Sequence, residues 1–285
     1  MKALRRIGRI RKIRTSKLLA NIRDGQSFYE RHEQASKSAD LTIASYNIHK
    51  CVGTDGRFDP HRTAAVIDEL GADIIALQEA DRRFGRRDGL LDLMHIEEQS
   101  GLIAVPVAEH SAGHGWHGNA LLYRAGAVRD LQRITLPGAE PRGAIVVDLD
   151  VGTGTLRIIA AHLGLLRRSR AKQIATLLAE VSECGTKPTI IVGDLNEWRI
   201  GRRSALIGLH PVFGPAETAL PSFPARYPVL ALDRIFGTPD HLISRLEVHD
   251  SPLARIASDH RPIKAFLDLK AAGKQAAKIA SQQAA

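Results

Sequence analysis

Cysteine is almost missing from this 285-residue chain, with Cys51 and Cys184 its only two. Two thiols are too few for a disulfide framework or a cysteine-built metal site. A reducing, cytoplasmic compartment is therefore the default expectation. Long apolar runs are missing too. No stretch approaches the roughly 18 consecutive apolar residues of a membrane-spanning helix, and Leu156–Leu166 is broken by Arg157 and His162. The N-terminal MKALRRIGRIRKIRTSKLLA has no uninterrupted apolar segment, which tells against a secretory signal. Net positive charge is missing from the body of the chain. The formal net charge is +9, but residues 1–40 hold 11 Lys and Arg against 4 Asp and Glu, and 270–285 add Lys270, Lys274 and Lys278 with no acid, which leaves 41–269 at −1. A body that grips a nucleic acid duplex is normally basic itself. The charge division favours an anionic surface, membrane lipid or nucleic acid, touched by a basic tail.

What is present is an ordinary globular composition, 44% hydrophobic and 25% charged, which excludes collagen-like, fibrous and wholly disordered classes. The organisation reads as a basic N-terminal extension over 1–40, one domain over 41–269, and a low-complexity basic tail over 270–285. Leu4, Ile7, Ile10 and Ile13 recur every third position between Arg and Lys. That spacing fits a short amphipathic helix about as well as a solvated extension. With the extension resting on lipid, the location is cytoplasmic and peripheral to a membrane. No feature calls for an obligate protein partner.

The body alternates strand and helix patterns. LTIASYNIH (41–49) reads as a strand. Asp59 and Pro60 open a helix with apolar Ala64, Val66, Ile67 and Leu70, stopped by Gly71. DIIALQE (73–79) is a buried strand, a helix follows near 90–100, and LIAVPVAEH, NALLYR, RGAIVVDLDV and LRIIAAHLG are strands. Residues 168–184 form a helix, and TIIVGDLN, LDRIF, SRLEVHD and PIKAFLDL complete the strands. So many strands, several adjacent without intervening helices, predict an α+β sandwich of two mostly antiparallel sheets with helices outside.

Most strands finish on polar groups that a core strand would not choose. Asn47, Glu79, Asn119, His162, Asp194, Asn196, Asp233, Asp259 and His260 all sit at strand ends or just beyond them. Rigid sheets place such residues accurately, so seven segments with this habit point to a site. Carboxylates, amides and imidazoles without a glycine-rich phosphate loop suit phosphoester hydrolysis. Glu79, Asp259 and the Asn47 carbonyl are oxygen ligands for a hard cation, Mg²⁺ or Mn²⁺. Asp194 and Asn196, two apart, are expected to point the same way, one taking a proton while the other orients. His162 and His260 can donate to phosphate oxygens, and Asp233 can hold one of them charged.

The strings SYNIH, LQE, GNALL, AHLG, GDLNEW, LDRIF and SDHRP, in that order over 41–269, resemble the endonuclease/exonuclease/phosphatase superfamily. That group includes deoxyribonuclease I, exonuclease III, neutral sphingomyelinases and inositol polyphosphate 5-phosphatases. The resemblance implies a four-layer α/β sandwich and a magnesium-dependent phosphoesterase. It implies that Asn47 and Glu79 hold the metal with help from Asp259, and that Asn119 and His162 contact the scissile phosphate. Asp194 deprotonates the attacking water with support from Asn196, and His260, paired with Asp233, stabilises the transition state. HGNA, PRG and FPAR…LDRI resemble a bacterial subgroup linked to phospholipid or glycolipid-anchor metabolism, which adds Arg142 and Trp116 to phosphate binding. His49 stands where several nucleases of the group carry an acid or glycine, which tells against apurinic-site cleavage. The leading expectation is a phosphodiesterase on a lipid or small phosphoester. The alternative is an endonuclease or exonuclease on DNA or RNA, which would line one face with Arg82, Arg83, Arg86, Arg87, Arg167, Arg168 and Arg170.

Overall fold

The computed structural model describes residues 39–182, 187–215, 219–270 and 272–273. The basic extension, apart from its last two residues, and most of the C-terminal tail lie outside the described residues, as does Cys184.

The first sheet has the order β10 (Ile243–Val248), β11 (Ile263–Leu267), β1 (Leu41–Asn47), β2 (Ile74–Gln78), β4 (Ala120–Tyr123), β3 (Ile103–Ala104). The second has the order β5 (Ala127–Leu136), β6 (Arg142–Asp150), β7 (Thr155–Ala161), β8 (Thr189–Asp194), β9 (Asp233–Thr238). Neighbours are antiparallel except β1 with β2 and β7 with β8, one parallel pair in each sheet. Each parallel pair is bridged by a helix, as parallel connections require. These are α1 (Pro60–Glu69) and α3 (Arg167–Ser182).

The inner strands read as nearly continuous apolar runs because both faces are buried. Ile43, Ala76 and Leu121 of the first sheet meet Ile145, Ile158 and Val192 of the second in a shared core. The alternate residues Ala44, Tyr46, Ile75 and Leu77 point outward onto Val66 and Ile67 of α1 and Ile96 of α2 (Leu93–Ser100). On the far side, Val146, Ile159 and Ile191 pack against Ile174 and Leu177 of α3. The result is the two-sheet sandwich with outer helices that the residue pattern predicts, in the four layers the resemblance implies. Asp59 caps α1 as expected, its carboxylate accepting the Arg62 amide at 2.9 Å.

Two readings change. LIAVPVAEH yields only the two-residue β3: Val105 still donates to the Leu121 carbonyl at 2.8 Å, but Pro106 has no N–H for a ladder and Val107 is buried without rejoining it. AVRDLQRITL, which carries no clean alternation, is the ten-residue β5. It pairs with β6 at the sheet edge, where solvent relaxes the demand for apolar residues.

Gly193 shapes the C-terminal end of β8. Its φ of +145° is a backbone state that side chains avoid, and a Cβ there would stand 1.9 Å from the Ala161 carbonyl oxygen. Gly193→Ala is expected to cost roughly 1–3 kcal/mol, read as a lower urea midpoint with an unchanged m-value.

Candidate active site

The C-terminal ends of β1, β2, β7 and β8 and the N-terminal ends of β4, β6, β9 and β11 share one end of the sandwich, as the registers within each sheet and the Asn47–Asp194 hydrogen bond between the sheets require. The polar strand-end residues therefore converge although they are far apart in sequence. The backbone there is unusual. His49, Lys50, Cys51, Glu79, His117 and Asn196 all have positive φ, a state concentrated at functional sites in folded proteins.

Asp194 is the hub and is almost fully buried. Its Oδ2 accepts Asn47 Nδ2 at 2.9 Å, which joins the two sheets, and its Oδ1 accepts the Asn196 backbone N–H at 2.9 Å. Asn196 lies beyond the strand, so the two side chains do not share a pleat face. Asn196 supports Asp194 through its backbone, while its own amide donates to the Leu163 carbonyl at 2.9 Å.

Two imidazoles flank Asp194, with His162 Nε2 at 3.4 Å and His260 Nε2 at 3.8 Å. Their environments drive them apart. Burial, reinforced by the nearby Arg142 charge, pushes His162 down to about 3, so it is neutral. The Arg142 guanidinium can only donate, so His162 Nδ1, 2.9 Å away, accepts, and the ring proton sits on Nε2 facing Asp194. Burial also opposes charge on His260, but the Asp233 and Asp194 carboxylates outweigh it and push His260 up to about 10. Asp233 Oδ2 lies 2.8 Å from His260 Nδ1 and also accepts the Ser222 hydroxyl. The sequence left open which histidine pairs with Asp233, and this contact makes it His260.

Glu79 stands at the end of β2 with the Lys50 ammonium on its carboxylate. Burial alone would raise its pKa, but Lys50 reverses the sign and holds it below the usual carboxylate range. Asp259 is more exposed. His49 Nδ1 lies 3.8 Å from it, and Ser258 ties it to β1 by donating to the Asn47 carbonyl at 2.7 Å. Separately, Asp194, Asp233 and His260 present ligand-type atoms all within 4.8 Å of one another.

Asn119 is fully buried. Its amide donates to the Trp116 and Gly143 carbonyls at 3.1 and 2.9 Å, and its Oδ1 has no partner among the described residues. Arg142 is braced by Glu140 at 2.9 Å and lines a cavity with Lys50, Glu79, Arg83, Arg87 and His117. Trp116 is the outlier among the sequence-selected residues. Its indole N–H is spent on the Ile134 carbonyl at 3.0 Å and its ring packs on the inter-sheet core, so its polar edge is not brought to the site.

Of the arginines a nuclease face would use, Arg170 is buried against Glu197 at 3.1 Å and Arg87 is bound to Asp81 at 2.8 Å. Arg82, Arg83, Arg86, Arg167 and Arg168 are exposed. Lys50, Ser222 and Ser258 were not singled out from the sequence. Lys50 directly follows the SYNIH string, but a lysine there gives no sign of its carboxylate partner 29 residues away.

A model of the Endonuclease/Exonuclease/phosphatase family matches residues 44–260. The chain belongs to that family. The match takes in strands of both sheets and every polar strand end described above, and it makes the protein a hydrolase of the phosphatase and nuclease kind. No curated protein matches the sequence. Solved structures show the same fold. An endonuclease/exonuclease/phosphatase from Beutenbergia cavernae DSM 12333 is 24% identical over 80% of this chain and 72% of its own, with a TM-score of 0.60. The mannosyl-6-phosphatase Bt3783 of Bacteroides thetaiotaomicron VPI-5482 is 17% identical over 80% and 100%, with a TM-score of 0.58. A truncated Caenorhabditis elegans TDP2 is 17% identical over 80% and 97%, with a TM-score of 0.57. No described helix is long and apolar enough to cross a membrane.

Proposed function

We propose that this member of the family hydrolyses a phosphodiester of a lipid headgroup or small molecule, assisted by Mg²⁺ or Mn²⁺. The observation that carries the reading is the pair of imidazoles on either side of one buried carboxylate, one held by the Arg142 guanidinium and the other by the Asp233 carboxylate, surroundings that push their pKa values in opposite directions. Environments that push like groups apart assign acid and base roles. Asp194 takes the proton of the attacking water. Neutral His162 donates from Nε2, oriented by Arg142. Charged His260, held by Asp233, meets the negative charge that develops on the phosphoryl oxygens.

The donor set on the Glu79 side fits a hard cation. The Glu79 carboxylate already draws the Lys50 ammonium, Asp259 offers a second carboxylate, and the Asn47 side-chain oxygen, which accepts the His49 amide at 3.0 Å, keeps a second lone pair. The Asp194–Asp233–His260 cluster fits less well, because a protonated imidazole has no lone pair to give and Asp233 Oδ2 already serves His260 and Ser222. A bound cation supplies charge neutralisation at the phosphoryl oxygens.

The test is hydrolysis of bis(p-nitrophenyl) phosphate and p-nitrophenyl phosphate with and without Mg²⁺. Diester turnover that excess chelator abolishes is expected. Full activity in chelator would sink the metal assignment, and turnover of the monoester alone would sink the diester assignment. Glu79→Gln keeps the side-chain volume and removes the charge. It is expected to raise the half-activating Mg²⁺ concentration at least about tenfold, as the loss of a ligand-shell group does.

The nuclease reading keeps one supporting observation, the cationic cavity wall of Lys50, Arg83, Arg87 and Arg142 beside Glu79. Its test is nicking of supercoiled plasmid. Against it stands the −1 charge of residues 41–269.

A further inference from the structure

We propose that the loops ringing the site end form a docking rim that seats the protein, site downward, on an anionic phospholipid bilayer. Five described large apolar side chains are more than 70% exposed. Four of them, Phe84 at 83%, Ile200 at 81%, Tyr227 at 80% and Val229 at 72%, lie on loops leaving that one end of the sandwich. The fifth, Met94, is on α2. Leu165, Leu166 and Trp198, also exposed, join the same end. The topology makes the grouping firm. Residues 162–166 leave the C-terminal end of β7 and 195–204 leave the parallel β8. Residues 219–232 enter β9 opposite β8, with Asp194 facing Asp233. Large apolar side chains left exposed and gathered at one end of a folded protein point to an interaction site.

These loops are held outward. The buried Arg170 guanidinium donates to the Leu165 carbonyl at 2.6 Å and the Gly164 carbonyl at 3.0 Å. It also binds Glu197, which ties the first loop to the second. Arg167 adds a bond to the Arg203 carbonyl at 2.9 Å. The Arg199 guanidinium covers the Trp198 ring at 4.5 Å. Leucines that a loop could fold inward are instead fixed facing solvent, so little ordering remains to be done when they meet a partner.

The choice of a lipid surface follows from residue chemistry. Three of the segments read HLGLLRRSR (162–170), WRIGRRSALIGL (198–209) and ALPSFPARYPVL (219–230) without Asp or Glu; Glu197 of the second loop is buried on Arg170, and Asp81 and Asp88 of the Phe84 loop are paired with Arg87 and Arg86. Apolar tips alternate with Arg167, Arg168, Arg202, Arg203 and Arg226, all exposed. That layering suits a bilayer edge, with aliphatic groups in the acyl boundary, Trp and Tyr at headgroup level, and guanidinium groups on lipid phosphates. Leu165, Leu166 and Ile200 have nothing to offer a base stack or a sugar–phosphate chain, which sets this surface apart from a nucleic acid groove. The rim deepens the phosphodiesterase reading and rests on it for the step after docking, since it would bring lipid phosphoesters to the mouth of the site.

The test uses the full chain with vesicles of phosphatidylcholine, alone or mixed with phosphatidylglycerol. Sedimentation is read at low salt and in about 1 M salt, where a Debye length of ~3 Å silences a purely electrostatic tail. Wild-type protein is expected to keep part of its binding to the anionic vesicles at high salt. The exposed-site double variant Leu165→Asp with Ile200→Asp is expected to bind there roughly tenfold more weakly. It should hydrolyse soluble bis(p-nitrophenyl) phosphate like wild type. Brominated acyl chains are expected to quench tryptophan fluorescence, and Trp198→Phe to remove that quenching. Vesicle binding that the double variant retains in full, with no quenching at Trp198, would overturn the rim. So would an absence of vesicle binding, or a duplex DNA fragment bound through the same two residues. Absent hydrolysis with salt-resistant vesicle binding intact would instead sink the phosphodiesterase reading and leave the rim supported.

Discussion

Asp194→Asn is expected to lower the rate of the chemical step by about 10²–10⁴, the range one acid–base group supplies. The carboxylate is the meeting point of both sheets and both imidazoles, and four hydrogen-bonding groups face it. An amide in its place loses the proton acceptor. It also turns a donor toward one of two existing donors, because Asn47 Nδ2 faces Oδ2 and the Asn196 N–H faces Oδ1. Either orientation leaves a buried donor pair in conflict, so a modest loss of stability accompanies the loss of rate. Single-turnover hydrolysis of bis(p-nitrophenyl) phosphate separates the two effects when variant and wild type are compared at a temperature where both are folded. A variant folded like wild type that keeps more than about a tenth of the wild-type rate is incompatible with Asp194 as the base.

The second large effect concerns Asp233 and His260. His260→Ala is expected to cost about 10²–10⁴ in the same step. Asp233→Asn tests why. In the wild type His260 titrates near 10, raised by Asp233 and Asp194 against the opposing effect of burial, with Asp259 adding a smaller pull in the same direction. A reaction that needs the charged imidazole loses rate as pH rises through that value. Removing the Asp233 charge leaves burial less opposed, so the basic limb of the pH–rate profile moves to lower pH, toward the ordinary histidine value of about 6.5. Stability carries the same sign. Because the folded pKa lies above the unfolded one, the pair's contribution is complete below about 6.5 and fades as pH rises toward about 10. In Asp233→Asn that alkaline decline is expected to shrink. An unchanged basic limb would return Asp233 to a structural part alongside Ser222.

The outlines of this protein are legible in its sequence because they depend on local pattern. Asp59-Pro60 announces a helix start, and the structure shows the cap bond it predicts. Strands such as TIIVGD show apolar residues on both faces, which is what a sandwich covered outside by helices demands. The misreadings share a cause. At the sheet edge and beside Pro106, burial and pairing come apart, so apolar content ceased to report on strand content.

The site followed the same division. Its residue types were readable, because polar groups ending apolar strands are conspicuous one by one. Their partners were not. That Asp233 serves His260, that Lys50 lies on Glu79, and that Arg142 fixes the tautomer of His162 are facts of register between strands and between sheets. The opposite charge states of two identical side chains belong there as well. A histidine carries the same intrinsic pKa wherever it stands in a sequence, and only the fold decides whether it is buried beside a guanidinium or between carboxylates.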